Sequence, residues 1–329
     1  MITAPDPALY WTIFAIFACL IAGSTIRFVA LRNTEEKKRH QRLASLRTWW
    51  MLATFVSAGL LAGRLGICLL LTAASCIAWF EITRMFGARS EDRFAIRAGY
   101  GLIVINYLLI LLGAASLFSV FLPVGSLIAL AVLLLIKDES QGYIRSAGAL
   151  LWGMLFLGYG ISHAALIMIL PASSAGPLGP AGWFLFLIIL TETDDIFQAI
   201  IGQLFGAHKR HRISPTISPN KTWEGFFGGM LVIVVLAPII APWLITLGQQ
   251  AGPFGLPEPL RPFVAPMFAA ILISLSGFFG DINMSAIKRD SGVKDSSNLL
   301  PGMGGVIDRV DSLTMTAPVF VYFIIWWKA

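Results

Sequence analysis

Charged side chains are scarce in this sequence, and their scarcity excludes an ordinary soluble domain. Lysine, arginine, aspartate and glutamate make up only 13% of the 329 residues, against about 25% in typical soluble domains. Hydrophobic residues make up 57%, in continuous runs long enough to span a bilayer as helices. Continuous runs also argue against a transmembrane β-barrel, whose strands alternate in polarity. The sequence therefore predicts an all-α, multi-pass integral membrane protein.

Cysteine is also rare. The three cysteines (Cys19, Cys68 and Cys76) lie inside apolar runs, which favours packing over a disulfide or a metal set. The first apolar run lacks a basic segment before it and is too long for a cleaved signal peptide, so we predict a retained first span. The formal net charge of +6 bears on how the loops are oriented, and we expect no nucleic-acid partner.

The apolar runs predict about ten transmembrane helices. Their bounds are near 8–31, 49–63, 66–86, 98–112, 115–136, 147–171, 182–205, 225–248, 264–288 and 312–327. If the segment 32–48 is cytoplasmic and the passes alternate, only Arg64, Arg261 and Lys328 of the 24 cations lie outside. We therefore predict an inner (cell) membrane protein with both termini on the non-cytoplasmic side. We expect the first half to serve mainly lipid-facing packing.

A polar stretch near the C-terminus stands out against this background. Asp281, Ser285 and Lys288 are spaced so that a helix would present them on one face. Asp308 and Asp311 are three residues apart and open the next apolar run. Oxygen ligands from two helix ends suit a hard cation such as Mg²⁺.

Glycines and cations lie between these two groups of acids. Gly302, Gly304 and Gly305 allow a tight return of the chain and a close approach to a ligand. The stretch also carries cations that suit anionic phosphate, namely Lys288, Arg289, Lys294 and Arg309. The alternative interpretation is that these residues are solvated helix ends at a membrane surface.

A second polar cluster lies in the seventh predicted span, which contains Glu192, Asp194 and Asp195. Carboxylates at membrane depth are costly and are functional candidates. Glu192 and Asp195 are spaced to face one site, whereas Asp194 is expected to point elsewhere. A structural pairing with an intramembrane cation is the alternative.

The segment after this span supplies hydroxyls and a charge immediately before the eighth predicted helix, from Ser218, Lys221 and Thr222. Free N–H groups at a helix start favour phosphate. The paired glycines of a Walker A loop are missing. His208 and His211 are spaced as ligands, but in so basic a segment we expect solvated surface histidines.

These stretches resemble the phosphatidate cytidylyltransferase (CDP-diglyceride synthase) family. The C-terminal family pattern is matched by Ser285, Lys288, Arg289, Lys294, Asp295, Pro301, Gly302, Gly304, Gly305, Asp308, Arg309 and Asp311. A related family segment is matched by Asp195, Gly202, Ser218, Pro219, Lys221, Thr222, Glu224 and Gly225. Two departures are Met303, where the family has histidine, and Ile196-Phe197-Gln198, where it has small and aromatic residues. The resemblance is strong over 180–320, while the first half matches only in hydrophobic character.

The resemblance implies transfer of a cytidylyl group from CTP to phosphatidate, giving CDP-diacylglycerol and pyrophosphate in phospholipid biosynthesis. We predict an N-terminal transmembrane region, 1–180, and a C-terminal transmembrane catalytic region, 181–329. The distribution of cations predicts that the active site faces the cytoplasm. The catalytic residues would be Asp281, Asp308, Lys288 and Asp311. Mg²⁺ would be held by Asp281 and Asp308, with Asp195 in support. The substrates and their phosphates would be contacted by Ser218, Lys221, Thr222, Ser285, Arg289, Lys294 and Arg309.

Three questions stay open at this point. A CTP-dependent lipid or polyprenol kinase would use the same nucleotide, and an ion-coupled transporter would also carry intramembrane carboxylates. Met303 cannot donate a proton or a charged hydrogen bond to phosphate, so its effect on activity is open. The sequence also leaves open a second cation, a homodimer, the acyl-chain preference and the choice between CTP and dCTP.

Overall fold

The computed structural model describes residues 7–31, 36–87, 89, 92–136, 138, 140–170, 177–206, 211–249 and 252–328. Helices dominate this part of the chain, and its only sheet is one short antiparallel hairpin. The α-helices are α1 Pro7–Ala30, α2 Glu36–Leu61, α3 Gly63–Met85, α4 Arg93–Leu111, α5 Ala115–Leu135, α6 Tyr143–Gly153, α7 Ile161–Leu166, α8 Gly179–Phe205, α9 Trp223–Leu244, α10 Arg261–Asp290, α11 Ile307–Val310 and α12 Leu313–Lys328. The hairpin consists of β1 Arg212–Ser214 and β2 Ser218–Thr222.

Eight helical stretches among the described residues are long and apolar enough to cross a membrane. The prediction of an all-α, multi-pass membrane fold is therefore confirmed. Two further predicted spans correspond to α2, whose first turns are basic, and to α8, which carries three carboxylates in its middle. The charged residues of both helices lie toward the polar end of the bundle described below.

The structure differs from the predicted spans in three places. Helix α2 begins at Glu36 rather than near 49, so most of the predicted basic loop is helical. The sixth span is a composite in which a π-helix, Met154–Gly160, joins α6 to α7. The segment 212–222 was expected to be a loop but forms the hairpin, in which Arg212 pairs with Thr222. Pairing satisfies backbone groups that would otherwise be unpaired beside the helix ends.

The predicted cytoplasmic segments gather at one end of the bundle. Hydrogen bonds that join them run from Thr48 to the Pro301 carbonyl (2.9 Å), from Arg289 to the Ile217 carbonyl (3.4 Å) and from Ser146 to Asp92 (2.8 Å). This agrees with alternating passes, because alternation puts every second connection on the same side. Which side of the membrane this end faces stays a prediction.

Close helix contacts set the positions of the polar residues at this end. A Cβ added to Gly280 of α10 would lie 2.7 Å from the carbonyl oxygen of Asp311. A Cβ added to Gly229 of α9 would lie 2.8 Å from Asp194 Oδ1 on α8. Small residues let helix backbones approach in this way. As a result, α8, α9, α10 and the start of α12 converge around one polar cluster.

Candidate active site

The site contains two acid–lysine groups. Lys221, near the end of β2, lies at the centre of the first. Its Nζ is 2.8 Å from Asp281 Oδ2 on α10 and 4.0 Å from Asp195 Oδ1 on α8. Its ammonium also lies 5.6 Å from the centre of the Phe278 ring, within range of a cation–π contact. Three residues that the sequence analysis selected separately are thus brought together from three elements.

The charge of Lys221 is stabilised by its surroundings. Burial favours the neutral amine, but the carboxylates of Asp281, Asp195 and Asp311 hold the pKa of Lys221 above its ordinary value. The lysine therefore stays protonated at neutral pH. A cation is the preferred occupant of the space between these acids.

The remaining contacts of this group fix the carboxylates in place. The Ser312 hydroxyl donates to Asp195 Oδ2 at 2.8 Å, and the Ser312 N–H donates to Asp311 Oδ1 at 3.0 Å. The Ser285 hydroxyl lies 3.3 Å from Asp281 Oδ1, one turn earlier on α10. Ser285 therefore orients a carboxylate here, in addition to its predicted role toward substrate.

Gln198 connects Lys221 to a residue that was expected to lie away from the site. Lys221 Nζ donates to Gln198 Oε1 at 2.9 Å, and Gln198 Nε2 donates to Asp194 Oδ2 at 2.8 Å. Both Gln198 and Asp194 are buried. Asp194 therefore reaches Lys221 through the Gln198 amide, one turn further along α8, and does not itself face the ammonium as Asp195 does.

Lys288 and Asp308 form a second acid–lysine pair. Lys288 Nζ lies 2.6 Å from Asp308 Oδ1, and both side chains are largely buried. Asp308 Oδ2 accepts the N–H and the hydroxyl of Ser296, each at 2.9 Å, and the N–H of Gly305 at 2.8 Å. Both oxygens of this carboxylate are therefore engaged by protein groups.

The glycines of the segment before Asp308 are required by its backbone. Gly302 and Gly304 have φ values of 72° and 85°, which L-residues rarely adopt. The turn closes by hydrogen bonds from Leu300 N to the Gly304 carbonyl (2.8 Å) and from Met303 N to the Leu300 carbonyl (3.1 Å). Met303 is half-buried at this turn.

Several predicted phosphate contacts occupy other positions. Thr222 Oγ1 accepts the Gly225 N–H at 3.1 Å and so caps α9, and Ser218 lies in β2 opposite Ser214. Lys294 is exposed on the loop after α10. Arg309 is half-buried, and its Nε has no hydrogen-bond partner among the described residues.

One participant was missed by the sequence analysis. Glu81 of α3, from the half that was expected to serve lipid-facing packing, hydrogen-bonds to Val306, Ile307, Ser296 and Ser297. The available signal was a lone carboxylate inside an apolar span, which is a functional candidate by itself. His208 lies outside the described residues, and His211 pairs with Glu224.

The donor set around Lys221 fits a hard divalent cation. Asp281 and Asp195 already share one cation, the lysine ammonium, and carboxylate oxygens are the ligands that Mg²⁺ prefers. Among the described residues, however, no three His, Cys, Asp or Glu side chains form a ready-made metal group. A metal would therefore complete its coordination with substrate phosphate oxygens or water.

Comparison with known proteins connects this arrangement to a family. The sequence model of the cytidylyltransferase family matches residues 43–327. The chain belongs to the cytidylyltransferase family. The match begins well before residue 180, so the similarity covers much of the first half as well. Membership assigns this cytidylyltransferase-family chain to the nucleotidyltransferases.

Three relatives illustrate the extent of the similarity. An Escherichia coli (strain K12) protein named "Uncharacterized protein YnbB" is 36% identical over 309 residues, which is 94% of this chain and 96% of the relative. The phosphatidate cytidylyltransferase of Brucella abortus is 29% identical over 261 residues, 79% of this chain and 85% of that protein. That of Haemophilus influenzae is 39% identical over 139 residues, 42% of this chain and 44% of that protein.

Proposed function

We propose that this protein transfers a cytidylyl group from CTP to phosphatidate, producing CDP-diacylglycerol and pyrophosphate. The observation that carries the proposal is the convergence of Lys221 with Asp281 and Asp195 at one end of the helix bundle. These three residues come from two sequence stretches that resemble phosphatidate cytidylyltransferases. The names of the Brucella and Haemophilus relatives support the same reaction.

The reaction requires positioning and charge neutralisation more than covalent work by the protein. A phosphate oxygen of phosphatidate attacks the α-phosphorus of CTP, and the bond from that phosphorus to pyrophosphate breaks. Fixed cations stabilise the charge that develops on the transferring and leaving oxygens. Lys221 is protonated and lies at this site, where it would contact the phosphate oxygens.

Mg²⁺ would supply additional neutralisation of the nucleotide phosphates when bound. Asp281 and Asp195 would hold it, with Asp311 close by. Asp308 was predicted as a partner of Asp281 in this role, but it would first have to release Lys288 and the loop N–H groups. We therefore favour Asp195 over Asp308 as the second ligand and assign Asp308 mainly to holding Lys288.

The orientation of the site follows from the distribution of cations. We propose that the end carrying Lys221 faces the cytoplasm of the cell that holds this protein in its inner membrane, with both termini on the other side. A site at helix ends can meet a soluble nucleotide and a lipid headgroup together. This geometry accounts for catalysis without a soluble domain.

The direct test is incubation of purified protein with phosphatidate, labelled CTP and Mg²⁺, followed by lipid extraction. We expect label in a CDP-lipid and one pyrophosphate released per lipid formed, with Asp281→Asn reducing the rate at least about 100-fold. Release of CDP together with a newly phosphorylated lipid would instead identify a lipid kinase. Ion uptake by proteoliposomes without any nucleotide, in the absence of CDP-lipid formation, would identify a transporter.

A further inference from the structure

Glu81 is a buried carboxylate with all of its hydrogen bonds directed to one distant segment. Its side chain lies on α3, and the residue is 3% exposed. Its oxygens accept hydrogen bonds from Val306 N (3.0 Å), Ile307 N (2.9 Å), Ser296 Oγ (2.9 Å) and Ser297 Oγ (2.6 Å). Burying a carboxylate is costly unless its lone pairs are satisfied. Here the segment 296–307 provides the donors.

Ser296 links Glu81 to the second acid–lysine pair. Its hydroxyl oxygen lies 2.9 Å from Glu81 Oε2 and 2.9 Å from Asp308 Oδ2, and its single proton serves one of them at a time. Its N–H also donates to Asp308 at 2.9 Å. Because Asp308 holds Lys288, the position of Glu81 is transmitted to a cation of the proposed site.

Gly305 provides a separate indication that the segment is shaped around Glu81. A Cβ added at this position would lie 2.5 Å from each carboxylate oxygen of Glu81 and would also collide with Ser296 Oγ. The Gly305 N–H donates to Asp308 at 2.8 Å. The backbone therefore passes between two carboxylates, and a glycine is required by the lack of space.

We propose that Glu81 is a positioning residue for cytidylyl transfer, which holds the segment 296–307 so that Asp308 and Lys288 face the substrates. The inference rests on the proposed function, since it assigns a part in that reaction to a residue from the first half of the chain. Glu81 contacts no substrate in this scheme. It acts through Ser296 and the backbone of the segment.

The kinetic test compares the wild type with Glu81→Gln, Ser297→Ala and the matched control Glu258→Gln. Glu81→Gln keeps the side-chain size but puts an amide donor against donors of the segment. We expect kcat to fall about 100-fold, since small misplacements of catalytic groups have effects of this size. We expect KM for CTP to change by less than about threefold, because binding groups are retained. Glu258, whose side chain is 88% exposed, should tolerate the same exchange without effect.

A second measurement does not depend on activity. Hydrogen–deuterium exchange in residues 296–307 is expected to accelerate in Glu81→Gln and, to a smaller extent, in Ser297→Ala, while exchange in α8 and α10 stays unchanged. Ser297→Ala removes one of the four hydrogen bonds to Glu81 and also the bond from Leu299 N to the Ser297 hydroxyl, so its exchange is compared over residues 300–307 only. Scored in this way, it carries the test if Glu81→Gln does not fold. Wild-type kcat, or unchanged exchange in this segment, would overturn the inference. A wild-type protein without cytidylyl transfer would reject the proposed function, and the exchange data would still decide whether Glu81 holds the segment.

Discussion

At the residue scale, the site consists of two lysines, each held by an aspartate from another part of the chain. Lys221 lies against Asp281, and Lys288 lies against Asp308. The sequence analysis had grouped the acids as metal ligands and the lysines as phosphate contacts. The structure pairs them instead, because each ion pair offsets the cost of burying its members. A substrate phosphate that enters would compete with a carboxylate for each ammonium.

Gln198 yields a prediction about the orientation of the Lys221 ammonium group, which donates a hydrogen bond to its side chain. Replacing Gln198 by alanine removes the acceptor that orients the lysine ammonium, and the loss of a hydrogen bond to a charged group is worth about tenfold in rate. We expect kcat for cytidylyl transfer to fall by this factor. The control is Gln203→Ala, an exposed glutamine on the same helix, which should leave kcat unchanged. Equal rates for the two variants would show that Gln198 is not needed.

Met303 yields a second prediction at this scale. It stands where the resembled family has histidine, at a half-buried turn. We expect Met303→His to transfer cytidylyl groups at least as fast as the wild type and up to about tenfold faster, by adding a hydrogen-bond donor near phosphate. Met303→Leu, which adds no donor, should match the wild type in the same assay. A large loss of cytidylyl-transfer rate in Met303→His would mean that this turn has a different role from that of the family turn.

At the scale of elements, the junction between β2 and α9 determines where Lys221 lies. Thr222 ends the strand, and its side chain caps α9 by accepting the Gly225 N–H. Gly202 and Gly206, at the C-terminal end of α8, leave space for the Thr222 side chain because they have no Cβ. A Cβ at Gly202 would lie 3.0 Å from the Thr222 hydroxyl. The family-like spacing of these residues therefore has a structural reason that was not apparent from the sequence. Strand, cap and helix end together present Lys221 to the acids.

The cap can be tested by stability. Thr222→Ala removes the side-chain acceptor of α9 and is expected to lower the free energy of unfolding by about 1 kcal/mol, whereas Thr222→Ser keeps the acceptor and most of the stability. Thermal unfolding of the purified protein in detergent measures both. Thr216→Ala, at an exposed position of the hairpin turn, is the matched control. If Thr222→Ala were as stable as Thr216→Ala, the threonine hydroxyl would be free to serve substrate instead.

At the scale of the whole molecule, the two regions divided at residue 180 share one polar end. Thr48 of α2 and Glu81 of α3 both hydrogen-bond to the segment that precedes Asp308. The first half therefore does more than face lipid, which corrects the expectation from its hydrophobic character. The family match, which begins at residue 43, likewise includes α3 and most of α2.

Labelling of introduced cysteines tests the orientation of this end. In a chain whose three native cysteines are replaced by alanine, Lys294→Cys and Glu258→Cys place a thiol at exposed positions of opposite ends. With a membrane-impermeant maleimide on spheroplasts, we expect Glu258→Cys to react at once and Lys294→Cys to react only after permeabilisation. The reverse pattern would put the proposed site on the outer face.

Local properties account for what could be predicted. The helical spans follow from runs of apolar residues, because each span satisfies its own backbone in lipid and needs no information from elsewhere. The acidic and basic residues of the C-terminal stretch could be selected because charges are conspicuous in an apolar chain. The hairpin at 212–222 was missed because its short, polar strands carry no apolar alternation.

The sequence by itself determined the membrane-spanning helices, the common end of the basic segments and the identity of most residues gathered there. Only the tertiary structure decided which aspartate meets which lysine, that Gln198 and Asp194 support Lys221, and that Glu81 holds a segment 215 to 226 residues away. The reason is physical: insertion of a helix depends on its own side chains, whereas a buried charge must find its partner wherever the packing of distant helices brings one.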